Sequence, residues 1–110
     1  MLSILMLVVT DASRYYVHVI RSFADKRTLL IWERRRTKLH PETQRRAYNK
    51  LAMLNQAATL DDLRVPPGNR LEQLKGDRAG QHSVRVNQQW RLCFRWTDAG
   101  PESVEFTDYH

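Results

Sequence analysis

Between Ser83 and Trp96 the apolar residues fall on every second position: Val84, Val86, then Trp90, Leu92, Phe94 and Trp96. A period of two belongs to half-buried strands and is incompatible with a helix over the same stretch. Asn87, Gln88 and Gln89 separate the two runs, and Asn tolerates the positive φ of a tight turn, so the spacing predicts an antiparallel hairpin. If Trp90, Leu92, Phe94 and Trp96 face a core, alternation sends Arg91, Cys93 and Arg95 to the other face. An arginine in mid-strand is seldom buried without a partner, so Arg91 is the first residue that asks for a ligand or an ion pair.

The rest of the chain arranges itself around that hairpin. Val19 to Phe23 reads as a short strand, and Asp25 or Ser22 as the cap of a helix reaching about Arg36, with Leu29, Leu30 and Trp32 as its apolar patch. Pro41 suits the first position of a second helix, with Glu42 in its first turn and His40 as cap or loop. On that helix Ala47, Leu51, Leu54 and Ala58 recur at spacings of four, three and four, which makes one core stripe. Residues 59–70, with Pro66-Pro67-Gly68, read as a loop; Leu71–Leu74 as a strand; Lys75–Gly80 as a charged turn; Asp98–Pro101 as another; Ser103–Tyr109 as the closing strand. Two helices followed by a run of strands define an α+β domain: a small, mostly antiparallel sheet with two N-terminal helices packed on one face. The opposite face then carries Arg91, Arg95, Glu105 and Tyr109.

A chain of 110 residues has room for one such core. Its formal charge is +6, and residues 21–50 alone hold ten Lys or Arg against three acids, whereas the last fourteen residues hold four acids and neither Lys nor Arg. Such a surface attracts polyanions, without choosing among DNA, RNA and acidic protein. The single cysteine excludes an internal disulfide and fits a reducing cytoplasm. The four histidines share no metal-ligand spacing, so no metal or other cofactor is expected. The apolar opening MLSILMLVV is too short to span a bilayer and lacks the basic start of a secretory signal. Residues 1–18 are read as an extension and 19–110 as the functional domain, with Val19 a candidate initiator from a non-AUG codon.

Arg91, Lys75, Tyr109 and His110 together contain the groups that cut RNA without metal. The 2'-hydroxyl must lose a proton, the leaving oxygen must gain one, and the pentavalent phosphorane must be held by cations. Arg binds two phosphate oxygens with one planar fork, Lys adds a point charge, and His or a tuned Tyr moves protons. Arg78, in the same turn as Lys75, sits where it can reach a phosphate. Each group also has a purely structural role open to it: Lys75 in its turn, Arg91 paired with Glu105, Tyr109 at a strand edge. The triplet Arg34-Arg35-Arg36 reads either as the solvated end of the first helix or as an RNA contact.

IRSFADK near the start, LEQLKGDRAGQHSVRVNQQWRLCFRW in the middle and VEFTDYH at the end resemble the HigB-type, or plasmid-maintenance host-killer, branch of the RelE/ParE toxin superfamily, in order and spacing over residues 19–110. The resemblance implies a type II toxin that enters the ribosomal A site, cuts the exposed mRNA, contacts ribosomal RNA and is restrained by a helix-turn-helix antitoxin. It implies phosphate-binding roles for Lys75 and Arg91, with Arg91 stabilising the transition state, and a proton-transfer or positioning role for Tyr109 and His110. Asn87 and Gln89 fall where the family contacts mRNA, and Arg78 and Arg95 join them as RNA-binding candidates. Two positions depart from the pattern: Glu72 stands where some members have His, and Asn87 where some have Arg. A ParE-like gyrase poison and a catalytically lapsed basic RNA-binding module are the alternatives. DNA-damage signalling identifies the first, and ribosome binding with intact mRNA the second.

Overall fold

A computed structural model describes residues 19–108. The extension 1–18, and the pair Tyr109 and His110 singled out above, lie outside the described residues. Two helices, α1 (Lys26–Trp32) and α2 (Pro41–Gln56), precede four strands: β1 (Glu72–Gln73), β2 (His82–Arg85), β3 (Arg91–Thr97) and β4 (Gly100–Thr107). The strands form one antiparallel sheet in the order β1-β2-β3-β4. No helix among the described residues is long and apolar enough to cross a membrane.

Asp25 caps α1 by accepting from the Thr28 N–H at 2.9 Å and from its hydroxyl at 2.6 Å. The helix ends at Trp32, short of the expected Arg36, because Arg34 turns left-handed (φ 60). Its N–H returns to the Ile31 carbonyl at 3.0 Å, and its guanidinium lies 4.3 Å from the centroid of Tyr48, which itself stacks on Trp32 at 5.4 Å. This stack draws the chain off the helix axis, so Arg34, Arg35 and Arg36 edge a cavity of about 820 Å³ between the helices instead of extending α1.

In α2, Pro41 is the first residue and the His40 ring nitrogen Nδ1 accepts from the Glu42 N–H at 3.2 Å. Ala47, Leu51 and Leu54 are fully buried as the stripe predicts. Ala58 is not part of it: the helix stops at Gln56, and the extended backbone of Ala57 carries Ala57 inward in its place. Opposite this stripe the sheet offers Val84, Leu92, Phe94, Val104 and Phe106, all without exposed surface. Truncating any one Leu of this interface to Ala costs about 2–5 kcal/mol, because the surrounding side chains only partly close the cavity left behind.

Val19 to Phe23 runs beside β4 but touches it as a strand only once, in a parallel bridge between Phe23 and Val104. Hydrogen bonds from Arg21 to Pro101 (2.7 Å) and from Ala24 to Val104 (2.8 Å) secure it. Gly100 makes the approach possible, since a Cβ there would meet the Val19 carbonyl at 2.4 Å. The stretch 59–70 is more ordered than a loop. Leu60–Arg64 and Pro67–Asn69 are short 3-10 turns, the first closed by a reciprocal Thr59–Asp62 capping box, and Leu63 and Asn69 are fully buried. The expected strand at Leu71–Leu74 shrinks to its two central residues.

Candidate active site on the open sheet face

The hairpin turn works by side-chain capture instead of positive φ: Asn87 is absent from the left-handed residues, and its Oδ1 accepts from the N–H groups of Gln89 and Trp90, each at 2.8 Å. This turn sets the register of β2 against β3, and the register sets the site. Cross-strand partners make two rows on the face away from the helices. One reads Glu72, Ser83, Cys93, Glu105; the next reads Arg85, Arg91, Thr107. The first row has carboxylates at its ends and small residues between them, and the second is cationic.

Arg91 is held down on this floor, its side chain 12% exposed. Its Nε donates to Ser83 Oγ at 2.7 Å, and its Nη2 to the Arg70 carbonyl at 2.6 Å and the Ser83 carbonyl at 3.4 Å, with Glu72 Oε1 3.6 Å away. Among the described residues these contacts use Nε and Nη2 and none uses Nη1. The partner anticipated for Arg91, Glu105, belongs to Arg78 instead, at 3.1 Å. The register explains the exchange, since Glu105 stands opposite Cys93 and Thr107 opposite Arg91. Arg78 also donates to Gln81 Oε1 at 3.0 Å.

Cys93 points to this face as alternation requires, yet has no exposed surface. Burial pushes its thiol up to about 11, with a smaller lowering effect from Arg78 and a smaller raising one from Glu105. It is a packing residue and no nucleophile, because the thiolate is the reactive form. His82, across from Phe94 and stacked on it at 6.3 Å, belongs to the helix-covered side, where burial lowers its proton affinity.

The other sequence candidates spread outward from Arg91. Lys75 is exposed at the start of the Gly76–Arg78 turn. Gln89 donates to Asp108 at 3.3 Å. Arg95 lies four residues along β3, beyond the irregularity opposite Ser103 (φ 53), with its Nη1 occupying the space a Cβ on Gly80 would need. The structure thus gathers Arg91 and Arg78 with the carboxylates Glu72 and Glu105 on one face and leaves Arg95 at its far end. The sequence reading missed Ser83 and the Arg70 carbonyl as the groups that orient Arg91. Hairpin pairing counted outward from Asn87 is the signal that places Ser83 there.

The sheet face away from the helices presents clamped guanidiniums beside carboxylates on a basic domain, an arrangement whose planar forks suit oxyanions. The chain belongs to the HigB-like toxin family, described as the RelE-like toxin of the type II toxin-antitoxin system HigB, which matches residues 21–110. It is 51% identical to Toxin HigB-1 of Vibrio cholerae serotype O1 over 51 residues, 46% of this chain and 54% of that protein. It is 29% identical to Endoribonuclease HigB of Proteus vulgaris over 93 residues, 84% of this chain and all of that protein. An uncharacterized Haemophilus influenzae protein is 40% identical over 47 residues, 43% of this chain and 46% of its own length. The chain therefore matches about half the length of the Vibrio and Haemophilus relatives.

Proposed function

We propose that the chain is a cytoplasmic mRNA endoribonuclease, the toxin of a type II pair, acting on messenger exposed in the ribosomal A site and restrained by a helix-turn-helix antitoxin. The observation that carries this reading is Arg91, nearly buried yet fixed by Ser83 and Arg70 with Nη1 outside those contacts. A fork held in advance loses little freedom when it grips a phosphate, so its binding energy is available to the transition state. The Proteus relative, aligned over its whole length, is named an endoribonuclease, which supports the same chemistry.

In the proposed reaction the 2'-oxygen loses its proton and attacks the neighbouring phosphorus. Arg91 holds the non-bridging oxygens and Lys75 adds charge from its exposed turn. The bond to the 5'-oxygen then breaks as that oxygen takes a proton, leaving a 2',3'-cyclic phosphate and a 5'-hydroxyl. Both proton transfers are assigned to Tyr109 and His110, with no metal required. Thr107, the cross-strand partner of Arg91, precedes them in the sequence by two and three residues, which supports the assignment. Glu72, beside Arg91, is a further acceptor for the 2'-proton. Arg78, Asn87, Gln89 and Arg95 are assigned to RNA contacts, with Asn87 acting through the turn it holds. The cations of residues 21–50, Arg46 excepted, are assigned to ribosomal RNA.

The test is induction of the parent and of Arg91→Ala and Lys75→Ala variants, with 5' ends of cellular transcripts mapped within minutes. The parent should generate new 5'-hydroxyl ends phased with the reading frame, and Arg91→Ala should abolish them while circular dichroism stays unchanged. A folded Arg91→Ala protein that still cuts overturns the assignment. DNA-damage signalling without cleavage would favour the gyrase-directed alternative.

A further inference from the structure

The cationic row does not end at Arg91. Arg85 stands directly opposite it on β2, and directly opposed like charges destabilise a sheet. Strand β1 pairs only with His82 and Ser83, so Arg85 lies on an uncovered length of β2. There it meets Arg46 of α2 across a cavity of about 510 Å³, whose remaining walls are Asn87, Gln88 and Gln89.

Three cations converge at this corner. Lys50, one helical turn beyond Arg46, donates to the buried Asn69 at 2.5 Å. Its ammonium is discouraged first by burial and then by Arg46 and Arg85. The acid available to Arg46 is Glu42, at 3.4 Å, and Glu42 divides its carboxylate with Arg45. Asp108 is engaged by Gln89 at 3.3 Å. An anion at this corner would relieve the repulsion, and the amide side chains of Gln88 and Gln89 add donors suited to phosphate oxygens.

We propose that Arg46 and Arg85, with the amides of Gln88 and Gln89, form a second phosphate cradle that takes an RNA phosphodiester flanking the one gripped by Arg91. The proposal rests on the RNA-cutting reading above and extends it: the bound strand crosses the sheet along the row from Thr107 through Arg91 to Arg85, then meets α2. The cradle touches no reacting atom. It fixes the register of the strand over the site.

The test uses the full chain and a fluorescein-labelled single-stranded RNA oligomer carrying 2'-O-methyl groups, so that binding is read without cleavage. Anisotropy titrations across a salt series compare the parent with Arg46→Gln, Arg85→Gln and Arg64→Gln, the last removing equal charge from outside the cradle. Each cradle variant should weaken binding by about three- to tenfold and flatten the slope of log K against log salt by about 0.7, as expected for one lost phosphate contact on a single strand. Arg64→Gln should leave the slope at the parent's value. Without RNA, both cradle variants should melt at or above the parent's temperature, because a repulsion is gone; a merely structural role predicts the reverse. Parent-like affinity and slope in both cradle variants would overturn the proposal, as would displacement of the oligomer by inorganic phosphate at the oligomer's own concentration. If the parent cuts no messenger in cells while the salt slopes behave as stated, the nuclease reading falls and the cradle stands. If the parent cuts and the cradle variants bind as it does, the cradle alone falls.

Discussion

The carbonyl oxygen of Arg70 lies 2.6 Å from Nη2 of Arg91, and Arg70 delivers it from a left-handed backbone conformation, φ 46 and ψ 56. A side chain is unfavourable in that region by roughly 1 kcal/mol, and glycine is not. Arg70→Gly should therefore raise the unfolding free energy by about 0.5–1 kcal/mol while the carbonyl stays on Arg91 and cleavage persists. Urea denaturation alongside the transcript assay checks both halves. A less stable glycine variant would show that the Arg70 side chain holds the turn.

What holds Arg70 in place is the residue before it. Asn69 is fully buried; its amide nitrogen donates to the carbonyls of Leu63 (3.1 Å) and Val65 (3.2 Å), and its oxygen accepts from Lys50. Asn69→Ala strands two carbonyls and a partly buried ammonium, a loss of about 2–4 kcal/mol. Lys50→Met strands only the Asn69 oxygen and relieves crowding by Arg46 and Arg85, so it should cost less, about 1 kcal/mol. Equal losses in the two variants, measured by chemical denaturation, would contradict this ordering.

The contrast between Asn69 and Leu92 shows what was legible in the sequence. Alternation places Leu92, Phe94 and Val84, helical spacing places Ala47, Leu51 and Leu54, and end chemistry places His40 with Pro41, because each of those signals is local. Asn69 sits in a Pro-Gly stretch that reads as loop, and its burial comes from contacts with α2 that no local pattern encodes. The ion pairs escape the sequence for a related reason: that Glu72 and not Glu105 stands beside Arg91 follows from strand register, which the Asn87 turn sets. Alternation places Cys93 on the correct face but cannot give its burial, which only the three-dimensional packing fixes.

Burial of Cys93 has a pH signature. Its thiol is raised from an ordinary 9.0 to about 11 in the fold. The neutral form is the one the folded state favours, so this contribution is complete below pH 9 and is lost as pH rises through 11. The stability of the parent should fall relative to Cys93→Ala across that window, whatever other groups titrate in both proteins. Thiol reagents at pH 8 should leave the folded parent unlabelled and label it fully in urea. Parallel pH profiles for the two proteins would sink the argument.

Asp25 and Thr28 tie α1 to the last strand through one chain of hydrogen bonds. Asp25 Oδ1 accepts from the Thr28 hydroxyl at 2.6 Å, and that hydroxyl oxygen in turn accepts from the Phe106 N–H at 2.9 Å. Removing the cap carboxylate with Asp25→Ala should cost about 1–2 kcal/mol, the usual price of an N-cap. Thr28→Val keeps the shape but withdraws the acceptor from a buried backbone N–H in β4, so its loss should exceed that of the cap, at about 2–3 kcal/mol. Asp25→Asn, which keeps a cap oxygen, should fall between the parent and the alanine variant. Urea midpoints for the three variants give the order directly, and an Asp25→Ala loss larger than that of Thr28→Val would show that the cap, not the link to Phe106, carries the connection between helix and sheet.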